Sequence, residues 1–293
     1  MKDYSWLVAE AKFYCESDVC FDFRKSSMGC GGKALALYPK SVPDLVSTIE
    51  LLEGLSVCYR VLGNTTNVLP PSEDSDTVFV FTKRVREIGF DKCLFAATGV
   101  SSTALLKECE TRSLTGAEFL TGIPCTVGGA AYMNAGVAGA YMDSIVKSVL
   151  VYKDGGIVTL DKKECGYSYK KSVFMQDKSI ILGVFFDLKR AKNGEIQERL
   201  REYSSRRKDL PTGKSLGCIF KNPDGFTAGK LIEGAGLKGL RVGGAVVSTK
   251  HANFIINDNR ASVKDVKSLI LIIKNAVFAQ YGIRLEEEIE YLT

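Results

Sequence analysis

Several stretches of this 293-residue chain carry residue types at spacings that could do chemistry. In Thr121-Gly122-Ile123-Pro124-Cys125-Thr126-Val127-Gly128-Gly129-Ala130-Ala131-Tyr132-Met133-Asn134-Ala135-Gly136 only Ile123, Tyr132 and Met133 are bulky. Backbone this bare can approach a flat ligand or a diphosphate, with its N–H groups as donors. A tightly packed helix entry between lobes needs glycines for the same reason, and residue types alone leave these two readings balanced. Gly63-Asn64-Thr65-Thr66-Asn67 has a similar character, a turn of small polar residues able to donate to phosphate. Near the C-terminus stands Leu285-Glu286-Glu287-Glu288-Ile289, where strand alternation puts Glu286 and Glu288 on one face and Glu287 on the other. Taken alone, three adjacent carboxylates more often mark a solvated edge strand than a catalytic site.

Two apparent phosphate motifs fail on context. Gly234-Ala235-Gly236-Leu237-Lys238-Gly239 fits the dinucleotide pattern GxGxxG, which needs a strand before it and a helix after. Here helix-like Ala228–Glu233 precedes and strand-like Leu240–Val247 follows. Gly213-Lys214-Ser215 resembles the end of a phosphate loop, but Lys208 occupies the place of the first glycine, so the backbone cannot wrap a phosphate.

The cysteines number nine, an odd count scattered from Cys15 to Cys218 without any CxxC. That argues against a disulfide framework and for thiols packed as small hydrophobes. One histidine, His251, leaves no zinc cluster, and no chemical role is assigned to it. The N-terminus lacks a signal pattern, and the most apolar segment, Ser268 to Gly282, carries Lys274 and is too short for a bilayer. A reducing cytoplasm, no membrane insertion and no obligate protein partner are the expectations. The charge of +5 suits anionic small molecules and is too weak and dispersed for nucleic acid. Arg206-Arg207-Lys208, the one basic run, reads as a solvated helix end.

With 45% hydrophobic and 25% charged residues, the chain can bury a sizeable core, and its length suggests two or three lobes. Ser41 to Leu55 reads as a helix capped by Ser41 with Pro43 in its first turn. Strands are expected at Val57–Leu62, Thr77–Phe81, Cys93–Ala97 and Ile180–Leu188, a helix at Ser102–Arg112, and a hairpin over Ile145–Leu160 turning at Asp154-Gly155-Gly156. A charged helix, Ile196 to Asp209, follows the soft Asn193-Gly194, where the domain boundary is placed. The last third reads strand, helix, strand, strand, helix, strand. Its long helix starts with Ser262 and Asp265 at capping-box spacing and stops at Gly282. Val266, Leu269, Ile270, Ile273 and Val277 recur at three and four, so one face must pack on a sheet.

The two loops, followed by Gly217-Cys218-Ile219-Phe220-Lys221-Asn222-Pro223, Ala228-Gly229-Lys230-Leu231-Ile232-Glu233 and Val247-Ser248-Thr249-Lys250-His251-Ala252-Asn253-Phe254, resemble the UDP-N-acetylenolpyruvoylglucosamine reductase family. The resemblance runs from about Met28 to the C-terminus in the family's motif order, and the length suggests the shorter class. It implies an α+β protein. A two-lobed FAD-binding region of the vanillyl-alcohol-oxidase (PCMH-like) kind spans residues 1–192, with lobes of about 1–70 and 71–192. An α+β substrate domain follows over residues 193–293. FAD would lie against Gly63, Asn64, Thr65, Thr66, Asn67, Gly122, Ile123, Pro124, Thr126, Gly128 and Gly129, with Asn134 nearby. NADPH would reduce it, and UDP-N-acetylglucosamine enolpyruvate would then take the nicotinamide's place.

The resemblance also assigns roles. The family's proton donor is a serine where this chain has Cys218, a thiol with an ordinary pKa of ~8.5 and so a competent acid. The arginine that stabilises the substrate carboxylate corresponds to Lys170, which keeps the charge and loses the fork. The third catalytic position corresponds to Glu288, while Tyr169, Lys221, Asn222, Ser248 and Asn253 fall at substrate contacts. The first loop departs from the family by carrying Thr65 and Thr66 in place of glycines, and the segment Met28 to Ala34 lacks flanking basic and proline residues. These changes mark a divergent member. The competing readings are a catalytically weak flavin- or nucleotide-sugar-binding relative and an oxidase of another small alcohol or sugar, in which Cys125 could link a flavin.

Overall fold

In the computed structural model, which describes residues 2–177 and 179–292, the helix expected after Ser41 spans Val42–Gly54. The Ser41 hydroxyl accepts from the amide of Asp44, and Leu45, Ile49 and Leu52 turn inward. This helix links Lys33–Pro39 to Tyr59–Leu62 in a four-stranded sheet ordered Cys15–Asp22, Lys33–Pro39, Val78–Phe81, Tyr59–Leu62. Its first pair is antiparallel and the other two are parallel. Short loops leave the C-terminal ends of the parallel strands, which is where open sheets of this kind bind ligands.

The second lobe is an antiparallel sheet ordered Gly156–Asp161, Val146–Lys153, Ile180–Phe186, Leu94–Ala97, Ile88–Phe90. Its hairpin turns at Asp154 and Gly155, with φ of 51° and 77°, as the Asp-Gly pair allows. Helices Ser102–Thr111 and Val127–Tyr132 accompany it. One hydrophobic core runs through both lobes, joining Leu37, Ile49 and Val80 to Ala96, Val149 and Val184.

The last third forms a sheet ordered Lys214–Cys218, Phe254–Asn257, Ala245–Val247, Arg241–Val242, with helices Ala228–Gly234 and Val263–Tyr281. Both halves of the Ser262–Asp265 capping box form, and Val266, Leu269, Ile270, Ile273 and Val277 are all buried. The architecture is α+β as expected, but three strands stand between the two helices where two were expected, because Leu240–Val247, read as one strand, folds back on itself at Gly243-Gly244 into the hairpin Arg241–Val242 and Ala245–Val247. The domains are interlaced, however. Met28, Cys30 and Leu69 lie in the hydrophobic core of the C-terminal domain, and Asn257 donates to the carbonyl of Met28 at 2.8 Å. Helix Glu195–Arg206, beyond the boundary expected at residue 193, packs on the turn Glu118–Leu120 of the second lobe and sends Tyr203 into the shared core. At the far end, Glu290–Tyr291 pairs in parallel with Val68–Leu69. Among the described residues no helix is long and apolar enough to cross a membrane.

Candidate active site

A cleft of ≈ 1110 Å³ lies between the two lobes and the C-terminal domain. Ligand pockets typically span about 300–1,000 Å³, so this one has room for an extended ligand or for two together. Both glycine-bearing loops line it, and so do Cys218, Lys170 and Glu288.

The first loop leaves strand Tyr59–Leu62 at Gly63, where a Cβ would come within 2.5 Å of Thr126 Oγ1. That glycine lets the two loops meet, and Asn64 ties them further by donating from Nδ2 to the Pro124 carbonyl at 3.2 Å. The backbone amides of Asn64, Thr65 and Thr66 donate to no protein acceptor among the described residues. Thr65 sits at φ 58°, a conformation that costs a non-glycine residue about 1–2 kcal/mol. Its hydroxyl accepts from the Ser27 amide at 3.2 Å and donates to the Asn64 carbonyl at 2.6 Å. Ser27 therefore helps hold a threonine at this positive φ, and the amide edge beside it stays open.

In the second loop the glycines divide between packed and open backbone, residue by residue. Thr126 caps helix Val127–Tyr132 by accepting from the Gly129 amide at 3.2 Å. Gly128 is a packing glycine: its amide donates to the Thr98 carbonyl at 2.8 Å, and a Cβ there would run into the Thr98 side chain. Gly129 faces the cleft, and the nearest atom to a Cβ there would be Thr126 Oγ1 at 3.3 Å, which leaves a ligand free to approach. Ile123, Pro124, Thr126 and Gly128 line the cleft, whereas Gly122 and Asn134 do not. Asn134 is buried at φ 43°, donates from Nδ2 to the Ser168 carbonyl at 2.9 Å and accepts at Oδ1 from the Asp143 amide at 3.0 Å. Its place is behind the site. It fixes the turn Ser168–Lys171, which presents Tyr169 and Lys170 to the cleft, with Lys170 at φ 54°.

Cys218 ends strand Lys214–Cys218 just after Gly217, at φ 75°, and a register shift against Phe254–Asn257. Such a bulge re-aims a side chain. Lys170 Nζ lies 2.7 Å from Glu288 Oε1, with side chains only 14% and 13% exposed. The carboxylates alternate as expected: Glu288 pairs with Lys170 and Glu286 with Lys221, while Glu287 turns away to Lys274 and Tyr291. Burial pushes the Cys218 thiol up to about 11, helped by the Glu288 charge and offset by Lys170, Arg207 and a hydrogen bond with Asn253. The thiol therefore holds its proton at neutral pH. Asn253 accepts from the Phe220 amide at 2.9 Å and donates to its carbonyl at 2.8 Å, fixing the chain beyond Cys218. The Glu288 amide donates to Ile219 at 2.8 Å, and Asn67 Nδ2 donates to the Glu288 carbonyl at 2.9 Å. The chain around Cys218, the ion pair and the first loop are thus one hydrogen-bonded unit.

Of the residues expected at the substrate, Tyr169, Asn222 and Asn253 line the cleft, and the Tyr169 hydroxyl accepts from the Asn222 amide at 3.2 Å. Lys221 and Ser248 stand one layer out. Lys221 is paired with Glu286, and the Ser248 hydroxyl accepts from the amides of Lys250 and His251 at 3.1 and 3.3 Å. Sequence reasoning missed Tyr141, which meets Tyr169 edge-on at 6.0 Å, and the cleft position of His251, whose pKa burial lowers. It also missed Arg207. The expected solvated helix end holds for Arg206, which pairs with Glu202, but Arg207 turns half-buried into the cleft, because the helix rests on the second lobe.

Comparison with known proteins covers both halves of this site. A model described as FAD binding domain matches residues 34–161, and one described as UDP-N-acetylenolpyruvoylglucosamine reductase, C-terminal domain, matches residues 208–292. The UDP-N-acetylenolpyruvoylglucosamine reductase of Caldicellulosiruptor saccharolyticus is 38% identical over 274 residues, which is 89% of this chain and 87% of the relative. That of Thermotoga petrophila is 38% identical over 276 residues, 90% of this chain and 94% of the relative. The crystal structure of UDP-N-acetylenolpyruvylglucosamine reductase from Thermus caldophilus superposes with a TM-score of 0.82 at 32% identity, covering 96% of this chain and all of the other. With similarity continuous from the loops of the first lobe to the segment that carries Glu288, the chain belongs to the UDP-N-acetylenolpyruvoylglucosamine reductase family.

Proposed function

We propose that the protein is an FAD-dependent reductase that uses NADPH to convert UDP-N-acetylglucosamine enolpyruvate to UDP-N-acetylmuramate for peptidoglycan precursor synthesis in the cytoplasm. The observation that carries the reading is the meeting, in one cleft, of a protonated Cys218, the Lys170–Glu288 pair and the two glycine-bearing loops. Family membership supports FAD as the cofactor. The residues present fit it: the unpartnered amides of Asn64 to Thr66 suit a diphosphate, and the open backbone at Gly129 suits a flat ring.

The substrate's enol-ether double bond is conjugated to a carboxylate. When bound, FAD supplies the hydride that adds to the terminal carbon of this double bond, having been reduced by NADPH. The adjacent carbon then needs a proton, and Cys218 gives it: the S–H bond breaks, a C–H bond forms, and the thiolate is reprotonated from water. Burial and the Glu288 charge keep that proton on sulfur until negative charge builds on the substrate. Lys170 holds positive charge beside the reacting carbon, and Glu288 fixes the direction of its ammonium group. Tyr169, Asn222 and Asn253 position the nucleotide sugar.

Anaerobic single-turnover spectroscopy tests this. NADPH should bleach the flavin of the purified protein, and the enolpyruvyl substrate should restore it. Flavin that bleaches and never recovers, or a protein that binds none, would sink the proposal. A Cys218→Ala protein with wild-type turnover would remove the thiol's role.

A further inference from the structure

The cleft holds fewer usable cations than its residue types suggest. Arg60, Lys170, Arg206 and Arg207 are the basic residues among the described lining. Lys170 is paired with Glu288 at 2.7 Å, Arg206 is exposed and bridged to Glu202 at 2.7 Å, and Arg60 is exposed. Arg207 differs from all three. It is half-buried, burial lowers its pKa, and among the described residues no carboxylate pairs with it; Cys218 and Cys125 are the ionisable groups near enough to feel its charge. Room for it is made by Gly122, whose Cβ would stand 2.8 Å from Arg207 Cδ and Nε. That glycine, at φ 70°, comes from the expected cofactor loop yet lies off the cleft, so its bareness serves the arginine.

A partly desolvated guanidinium without an anion is costly, and a planar fork is the donor set that matches a carboxylate in two places. We propose that Arg207 is the binding residue for the substrate's carboxylate, restoring beside Cys218 the fork that Lys170 lacks. This rests on the reductase reading. The Lys170–Glu288 pair is close to neutral overall, so a ligand carboxylate gains little net charge from it. Arg207 brings an uncommitted positive charge to the same thiol and takes the charge that develops on the carboxylate during reduction.

The test uses the FAD-loaded protein and two nucleotide sugars, UDP-N-acetylmuramate with its lactyl carboxylate and UDP-N-acetylglucosamine without it. Their dissociation constants are read from flavin absorbance changes in wild type, Arg207→Met and Arg207→Lys. Wild type should prefer the carboxylate ligand. Arg207→Met should lose roughly 10- to 100-fold of that preference, the range of a charge-assisted hydrogen bond, and Arg207→Lys should recover part of it. A preference retained in Arg207→Met overturns the inference. So does a variant that sheds FAD while its loaded fraction keeps the preference, which would assign Arg207 to the cofactor phosphates. If wild type itself lacks the preference and its reduced flavin ignores the enolpyruvyl substrate, the reductase reading has failed first.

Discussion

Replacing Glu288 by glutamine should make Cys218 more reactive, although it damages the site. The thiol stands at about 11, with burial the main cause and the Glu288 charge the second. At about pH 8 a thiol of ordinary pKa ~8.5 is about one quarter thiolate, whereas one near 11 is about one part in a thousand. The deficit is roughly 200-fold. A higher pKa also makes the thiolate a better nucleophile, with a Brønsted slope of about 0.4–0.5, so the net slowing falls to roughly 20-fold. Removing the carboxylate leaves Lys170 and Arg207, which both favour the thiolate, so the pKa must fall and alkylation accelerate. Cys218 lines the cleft and is only partly buried, so a small reagent reaches it. The assay is iodoacetamide labelling, followed by mass spectrometry of the Cys218 peptide against a free-thiol peptide standard. Wild-type Cys218 labelling as fast as the standard would refute the argument, and so would slower labelling in Glu288→Gln.

Three further outcomes follow from the same geometry. Burial raises the thiols of Cys30 and Cys165 to about 11 and that of Cys109 to about 12, so the folded state keeps protons that the unfolded chain releases above about pH 8.5. Stability is therefore complete below that pH and declines as pH rises toward 11, by up to about 1.4 kcal/mol per pH unit for each thiol; a urea midpoint unchanged between about pH 8 and 10 would contradict this. Asn134→Ala orphans the Ser168 carbonyl and the Asp143 amide, so it should cost about 1–3 kcal/mol in urea denaturation and slow turnover through the Lys170 turn, an effect that unchanged kcat would disprove. Gly128→Ala drives a methyl group against Thr98 and should lose about 1–3 kcal/mol together with FAD content after gel filtration, whereas full FAD content would show that the helix can give way.

Local signals carried most of the fold. Ser41, the Asp154-Gly155 turn and the Ser262–Asp265 box each act within a few residues, and each element formed within about one turn of its expected bounds. The first helix, Ser5–Ala11, and strand Cys15–Asp22 carried no such signal: no side chain caps the helix, and the strand is largely exposed. At the site, the alternation of Glu286 to Glu288 was legible because extended backbone enforces it, although the expected strand is here only a bridge between Glu287 and Phe220. The role of Asn134 was not, because its partners Ser168 and Asp143 are brought to it only by packing of the second lobe. Arg207 was hidden for a related reason. Its run resembles any basic helix end until the helix docks and turns one of two arginines inward.

The parallel pairing of Glu290–Tyr291 with Val68–Leu69 has a consequence for how the protein is made. The strand that follows the first loop waits for partners more than two hundred residues later, and the Glu290 amide donates directly to the Asn67 carbonyl at 2.9 Å. Domains fold as they leave the ribosome, N-terminal parts first. The first lobe can build its helix and central strands early, but its loop has no closing strand until Glu290 and Tyr291 emerge. A nascent chain that has not reached Glu288 to Tyr291 therefore cannot carry a finished cleft, because the loop's anchor and the Glu288 carbonyl that Asn67 holds arrive together. Completion of the site is in effect a check that synthesis has passed Tyr291.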